Sequence, residues 1–482
     1  MNFEIKYFIL TIVICIIAAI KFDLWNYCSL SFYSTYFKDS TSNSNELDLV
    51  IGILSSQDNF EERNAIRHTW LSSVKGNLRD RVKAWFVVGN DFCDIPPQSR
   101  VDLYSCNRWK INVTEITKTK TFSTCTAKML EPCQQQPVHQ GFIFQVLHSI
   151  IVEKLGVLED SLITGENVTV TLLDAATRVK VTVANFSGEK PGRIINGYIY
   201  RPVQQYILPK GFFGLLLVEG VTVPSVCRVT EFNNGVVSIK KIYGSLSNSE
   251  EHAVATSFIF RVHDIAELEK HVSEQNSRSE EWIKIINNTK MKLNEEVEKS
   301  DDMILIDTVD VYRNLPQKVV KFFQWLNKTQ SFSFVLKTDD DCMIDIHAVL
   351  ERLNQDQNFH SPKVWWSRFR SEYPVELYGK WGEWDYTSPV YPVFACGAGS
   401  VLSRDLVSWI TQNTETLYNY QGEDVSMGIW LSAVKPSYVQ DMRWNCDHSY
   451  TKDCLNRAEL NVTEMYRIWK SYESCGSLCC ED

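Results

Sequence analysis

The sequence predicts an α/β domain, a mixed sheet with helices on both faces, interrupted by an all-β sandwich-like insert and preceded by a membrane anchor. Three observations carry that expectation. Apolar runs of strand length alternate with helical stretches at both ends of the chain, the pattern of βαβ units around a covered sheet. Between about Thr117 and Glu274 the pattern changes to short alternating runs separated by turn residues. Near the N-terminus, Tyr7 to Ile20 forms an unbroken, mostly apolar run. The expected organisation is a cytosolic tail at 1–6, a signal-anchor helix at 7–25 and a stem at 26–46. The α/β domain occupies 47–116 and 275–470, the β-rich insert 117–274, and a Cys-rich tail 471–482.

Taken in order, YFILTIVICIIAAI lies between Lys6 and Lys21, and Phe22, Leu24 and Trp25 extend it. A full span needs about 17–20 residues, so this one is short and suits a thin bilayer. A cleaved signal peptide is the alternative, but Ala18-Ala19-Ile20-Lys21 makes a poor cleavage site. Glycosylation sequons begin at Asn112, Asn167, Asn185, Asn287, Asn327 and Asn461. Twelve cysteines follow Cys28, an even, scattered set that predicts disulfides in an oxidising lumen. Cys93 and Cys106 are a candidate local bridge. Zinc is the rival use of cysteine, and Cys479-Cys480 lacks the paired CxxC arrangement zinc favours.

With 482 residues the chain holds about two to four domains. Hydrophobic residues at 44% and charged residues at 22% exclude disorder over most of its length. A net charge of -10 provides no sequence-wide electrostatic footprint for nucleic acid. After the Ser/Thr/Asn-rich stem, LDLVIGIL reads as a buried parallel strand with Gly52 inside it, Phe60 to Trp70 as a helix, and Val82 to Gly89 as a second strand. The insert runs include VTVTLLDA, VKVTVANFS, GYIYRPV and SFIFRV. A charged helix resumes near Glu280, MILIDTV forms a strand, Leu315 to Asn327 an amphipathic helix, and SFVLKTDDD a strand ending in an acidic loop.

That loop is the first candidate site. Asp339, Asp340 and Asp341 lie at the carboxyl end of an apolar strand, where α/β sheets bind ligands. Clustered carboxylates suit a hard divalent cation, and a solvated acidic turn is the alternative. The second is Gly422-Glu423-Asp424, which opens an apolar helix; its acids either do chemistry or only complement the helix dipole. Between them, Gly397 and Gly399 allow close backbone approach to a ligand.

In order, ERNAIRHTW from Glu62, DVYRNL from Asp310, KTDDD from Lys337, YPVFACGAGSVLS from Tyr391 and GEDVSMG from Gly422 resemble the β-1,3-glycosyltransferase family that includes the β-1,3-galactosyltransferases. These motifs cover both ends of the chain and leave out the insert. The resemblance implies a GT-A nucleotide-sugar-binding fold and inverting transfer from a UDP-sugar. The long insert and the wording LKTDDDC, FACG and YQGEDVSMGIW resemble the N-acetylgalactosaminyltransferases of that family, and this resemblance alone implies UDP-N-acetylgalactosamine (UDP-GalNAc) as donor and the 3-hydroxyl of a terminal β-linked N-acetylglucosamine as acceptor. UDP-galactose and UDP-N-acetylglucosamine are the alternative donors. The resemblance further implies O-mannosyl glycan synthesis, with dystroglycan a candidate acceptor, by a single-pass type II protein of the endoplasmic reticulum or Golgi membrane.

Residue by residue, Asp339 to Asp341 match the family's DxD motif for Mn²⁺ or Mg²⁺. Asp341 is the first choice for direct metal contact. Asp339 would hold the ribose or a metal-bound water, with Asp340 in support. Asp424 matches the carboxylate taken as general base, and Glu423 is its rival or orients the acceptor. Candidate donor contacts are Arg63, Arg67, Tyr312, Asn314 and Lys337. Arg63 and Arg67 share one helix face and either meet the diphosphate or form structural ion pairs. Tyr312 and Asn314 line a donor pocket or only shape a turn, and Lys337 balances the carboxylates. Trp381 with Trp384, and Trp365-Trp366, are either an acceptor platform or core. His448 is either a further metal ligand or a surface histidine. The competing readings are an inactive glycan-binding protein of the same fold and a glycoside hydrolase, which would also use two carboxylates but would leave the metal-type loop unexplained.

Overall fold

The computed structural model describes residues 46–76, 78–111, 122–124, 138–159, 167–189, 191–221, 235–242, 253–447 and 451–480. The expected tail, anchor and most of the stem, as well as Asn112 and His448, lie outside the described residues. Among the described residues no helix is long and apolar enough to cross a membrane.

A seven-stranded mixed sheet organises the larger unit. Its strands, in chain order, are β1 (Leu47–Leu54), β2 (Val82–Asp91), β3 (Met303–Val309), β4 (Phe332–Asp339), β5 (Val364–Ser367), β6 (Ser400–Ser403) and β7 (Ser437–Gln440). Across the sheet they run β3-β2-β1-β4-β6-β5-β7. β1, β2, β3 and β4 are mutually parallel, β6 is antiparallel to both β4 and β5, and β5 and β7 are parallel.

Near-continuous apolar sequence in the central strands is what a sheet covered on both faces requires. Leu49, Ile51 and Ile53 of β1 face one apolar core. It is covered by α1 (Phe60–His68), α5 (Ile346–Gln355) and α8 (Val462–Cys475). Val50 and Leu54 face the other, covered by α4 (Leu315–Thr329), α6 (Arg404–Gln412) and α7 (Glu423–Ser432). Gly52 points to this second face. A Cβ there would lie 2.3 Å from Cε1 of Phe322, so the glycine is what lets α4 pack onto the sheet. Trp365 and Trp366, adjacent on β5, are fully buried on opposite faces. Of the two readings of this pair, core or acceptor platform, core holds: strand alternation sends each into a different core.

The chain leaves this unit after β2 and forms two five-stranded sheets. One contains Gly141–Val146, Val168–Asp174, Lys180–Phe186, Phe213–Glu219 and Val237–Ile242. The other contains Phe122–Ser123, Ile150–Leu158, Arg193–Ile195, Tyr198–Leu208 and Thr256–Val262. Both enclose a single core rich in Phe142, Phe144, Phe186, Phe258 and Phe260, which is sandwich packing. Helix α2 (Ile265–Ser273) closes one end through Leu268, and the long α3 (Gln275–Lys299) returns the chain to β3. Disulfides join Cys93–Cys106, Cys396–Cys446, Cys454–Cys479 and Cys475–Cys480. The first is the expected local bridge. Disulfide bonding of Cys479 and Cys480 takes them out of any zinc site.

Candidate active site

β1 and β4 end level, with Leu54 opposite Asp339, and the Asp340 N–H closes the edge by donating to the Leu54 carbonyl at 3.1 Å. Beyond that edge opens a cleft of about 700 Å³. The acidic loop floors it, and Tyr312, Arg370, Trp381, Tyr391, Gly397 and the first turn of α7 wall it. The buried Trp70 indole donates to the Cys342 carbonyl at 3.1 Å, which ties the end of the α1 segment to the loop.

The three aspartates diverge. Asp339 keeps 35% of its side chain open, and Asp341 is exposed. Asp340 is buried and accepts from the Asn59 amide at 2.9 Å. Asp339 and Asp341 therefore face the cleft, while Asp340 fastens the loop to the β1–α1 connection. Burial pushes the Asp339 carboxyl up to about 7; Lys337 opposes this, and the charges of Glu423 and Asp341 add to it.

Lys337 lies beneath the floor, 1% exposed. Its ammonium reaches Glu423 Oε1 at 2.5 Å, the Gly397 carbonyl at 2.7 Å and Asp339 Oδ1 at 3.1 Å. Burial alone would lower its pKa, but the carboxylates of Asp339, Glu423 and Asp424 outweigh that and hold it raised. One cation thus links the acidic loop to the start of α7. Glu423 is consumed by this bond. Its neighbour Asp424 accepts from the Val425 N–H at 2.7 Å and faces the cleft. Burial, then the Glu423 charge, push Asp424 up to about 6, against the pull of Lys337. A Cβ at Gly397 would lie 3.9 Å from both Asp339 Oδ2 and Asp424 Oδ2, so the glycine keeps open the space between the two carboxylates.

A galactosyltransferase family profile matches residues 284–442, which contain both carboxylates and the cleft between them. Over 478 residues the chain is 35% identical to UDP-GalNAc:β-1,3-N-acetylgalactosaminyltransferase 2 of Xenopus tropicalis, covering 96% of this chain and 97% of that one. The chain belongs to the galactosyltransferase family. The corresponding Homo sapiens protein is 35% identical over 453 residues, 90% of each chain. β-1,3-Galactosyltransferase 6 of Mus musculus is 32% identical over 165 residues, 34% of this chain and 50% of its own.

As a hexosyltransferase of that family, the chain gathers some of its expected site residues and disperses others. Tyr312 lines the cleft beneath Lys380, whose ammonium lies 4.5 Å from its ring centre. Burial and then the charges of Glu423 and Asp424 raise its pKa, so its hydroxyl stays protonated. Asn314 bonds the Val309 carbonyl at 2.9 Å and shapes the turn. Arg63 and Arg67 stand corrected as donor contacts. Arg63 is wholly buried and pairs with Glu296 of α3 at 2.7 Å. Arg67 pairs with Glu296 at 2.6 Å and Asp302 at 2.8 Å, its guanidinium over the Phe86 ring. Neither reaches the cleft, although Arg63 donates to Ser55 Oγ at 2.8 Å and so holds the loop that borders it. Trp381, 52% exposed, lines the cleft, whereas Trp384 stacks on Phe213 of the insert and lines a different cavity.

Other parts of the site lay outside the sequence reading. Lys318 pairs with Asp310 at 2.7 Å, and both line the cleft. Glu383 is buried and accepts from the Asp385, Tyr386 and Gln421 N–H groups, pinning the 383–386 loop to the entry of α7. Arg370 and Lys380 bring positive charge to a cleft otherwise dominated by carboxylates. Glu383 and Lys380 sit in irregular chain and Arg370 in the two-residue strand Phe369–Arg370, so none of them carried a local signal.

Asp339 and Asp341 are hard oxygen donors open to one space, the donor set by which Mg²⁺ or Mn²⁺ is held together with substrate phosphates. Among the described residues, one trio lies close enough to hold a metal unaided: Cys93, Asp94 and Cys106. Its two cysteines are bonded to each other, so it is not a metal site.

Proposed function

We propose that the chain transfers N-acetylgalactosamine from UDP-GalNAc, in β-1,3 linkage, to a terminal β-N-acetylglucosamine, with inversion at the anomeric carbon and Asp424 as general base. The observation that carries this reading is the separation of roles in the cleft. Asp339, 35% open beyond its contact with Lys337, and the exposed Asp341 turn carboxylate oxygens to the cleft where a cation would sit, Lys337 neutralises Glu423, and Asp424 alone among the α7 acids remains to take a proton. Near-full-length similarity to N-acetylgalactosaminyltransferases supports the donor and linkage.

A divalent ion held by Asp339 and Asp341 would supply charge neutralisation to the departing diphosphate. Arg370 and Lys380 would add fixed positive charge at the same cleft. Asp424 would accept the proton of the attacking hydroxyl, its raised pKa making it a stronger base than an ordinary aspartate. Attack on the face opposite UDP turns an α-linked donor into a β product without a covalent enzyme intermediate. GT-A organisation of the sheet, anchoring through residues 7–25 and an endoplasmic reticulum or Golgi lumen complete the reading, with an O-mannosyl glycan, as on dystroglycan, as its acceptor.

UDP-galactose is the second donor reading, favoured by the family profile and by the partial match to β-1,3-galactosyltransferase 6. A donor panel with Mn²⁺ and a β-N-acetylglucosaminide acceptor separates the two. Asp341→Asn should raise the Mn²⁺ concentration needed for half-maximal transfer, and EDTA should abolish transfer. Unchanged transfer in both would remove the metal from the account.

A further inference from the structure

We propose that the β insert is a positioning element of the catalytic cleft: through Phe213, Lys240 and Lys241 it holds the loop 375–389, and so sets where Trp381 meets the acceptor glycan. The proposal rests on the reading that the cleft glycosylates a glycan, and deepens it.

The loop 375–389 contains no helix or strand. Its ends are pinned together: the Val375 N–H donates to the Pro389 carbonyl and the Tyr391 N–H to the Tyr373 carbonyl, both at 2.9 Å. A loop closed at its base in this way takes its shape from side-chain packing, and such surface loops commonly carry function. Here it brings Lys380 and Trp381 to the cleft. Trp381 is 52% exposed, a large apolar face with an N–H at its edge. The C–H face of a sugar ring packs on such a surface.

The insert holds this loop at three points. Strand Phe213–Glu219, which reads FGLLLVE, is apolar on both faces. Leu216 belongs to the sandwich core, but Leu215 faces outward, in line with Ile143 and Leu173 on the neighbouring strands. The outer face of a free sandwich meets water and is polar. This patch is instead joined by Leu377, its one member from outside the insert. At the second point the Trp384 ring lies nearly parallel to Phe213, 6.3 Å between centres and 12° between planes. Lys240 Nζ and Arg313 Cζ each stand 5.1 Å from the Trp384 ring centre. The Trp384 indole donates back to the Leu377 carbonyl at 3.1 Å, which binds the first two anchors into one unit. Third, the Lys241 ammonium donates to the Tyr386 carbonyl at 3.1 Å.

The same loop is tied to the catalytic helix. Buried Glu383 accepts from the N–H of Gln421, which leads into Gly422-Glu423-Asp424, at 2.7 Å. Arg313, next to Tyr312 of the cleft, donates to the Gly382 carbonyl at 2.7 Å. Direct contacts therefore run from the insert strands to the cleft wall, and the insert affects the reaction without touching substrate. It acts through the fraction of molecules whose wall is in place, which scales the apparent affinity for the acceptor.

The test compares Phe213→Ala and Lys241→Met with the wild-type full chain. In hydrogen–deuterium exchange without substrate, amides at 382–386 should exchange about tenfold faster in both variants, with β1 and β4 unchanged. In Phe213→Ala, KM for a β-N-acetylglucosaminide acceptor should rise about three- to tenfold at wild-type kcat, the worth of one aromatic pair. Lys380 has its own hold over the Tyr312 ring, so KM for the UDP-sugar should stay at its wild-type value. Phe213→Tyr and Lys241→Arg, which keep the ring and the N–H donor, should restore the acceptor KM. Trp381→Ala should raise the same KM, and adding Phe213→Ala to it should raise it no further, because both act through one ring. A merely structural role would instead lower Tm and move both KM values together. That result, unchanged exchange at 382–386, or effects that add to those of Trp381→Ala would overturn the proposal. The exchange arm uses no nucleotide or glycan, so a wrong donor or acceptor assignment leaves it standing, and a loosened loop with normal acceptor kinetics refutes the positioning role alone.

Discussion

Lys337→Met is the most incisive perturbation of the site. The ammonium is 1% exposed and satisfies Glu423, itself 7% exposed, as well as Asp339. Methionine matches the stem but removes the charge, leaving the Glu423 carboxylate buried beside Asp339 and Asp424. Removing one partner of a buried pair costs about 3–5 kcal/mol, mostly the desolvation of the orphaned charge. At about 2–4 °C per kcal/mol, the unit that contains the sheet should lose about 6–20 °C in Tm. The double variant Lys337→Met/Glu423→Gln removes the orphan and should regain most of that loss, a coupling of at least about 2 kcal/mol in a double-mutant cycle. Calorimetry on the four proteins reads both numbers, and donor binding reads the site. A single variant as stable as wild type, or a double variant no better than the single, would refute the claim that this pair joins the acidic loop to α7.

Three further outcomes are expected. Asp424 must be deprotonated to act as base, so kcat/KM should fall as pH drops through about 6, where burial has raised its pKa, rather than near its ordinary value of 3.8; Asp424→Asn should keep donor binding and lose transfer by about 10²–10⁴-fold. Gly52→Ala should destabilise by about 1–3 kcal/mol in chemical denaturation, because the added methyl meets the Phe322 ring at 2.3 Å. Among the sequons, Asn167, Asn185, Asn287 and Asn461 are exposed, whereas the Asn327 amide bonds Thr411 at 3.1 Å and Ser408 at 3.2 Å; mass spectrometry should find Asn327 the least occupied of the five.

Legibility along the chain followed the range of the interactions involved. Runs such as LDLVIGIL and SFVLKTD are legible because a strand buried on both faces must be apolar nearly throughout, a local rule with a local signature. The acidic loop is legible for the same reason: carboxylates crowded at a strand end are costly unless used. Arg63 and Arg67 were ambiguous because their spacing fixes only a shared helix face, and what lies opposite is Glu296, more than two hundred residues later. The adjacent tryptophans of β5 were ambiguous for want of knowing whether both faces of the strand are covered.

Lys337, Glu423 and Asp424 show how a site can be assigned in outline and still lack the contacts that give each residue its place. Glu423 and Asp424 are adjacent acids at one helix start, and composition, dipole and spacing treat them alike. What distinguishes them is that Glu423 is buried against an ammonium projecting from β4, while Asp424 is the more open of the two at the cleft both line. The lysine therefore does more than balance charge. By occupying one acid it leaves the other for the proposed role of base, and by bonding Asp339 and the Gly397 carbonyl as well it fixes that carboxylate relative to the acidic loop. A β4 strand slipped by one residue would turn Lys337 out of this position and break all three contacts at once, so the register in which Leu54 meets Asp339 is what sets the arrangement of the three carboxylates around the lysine.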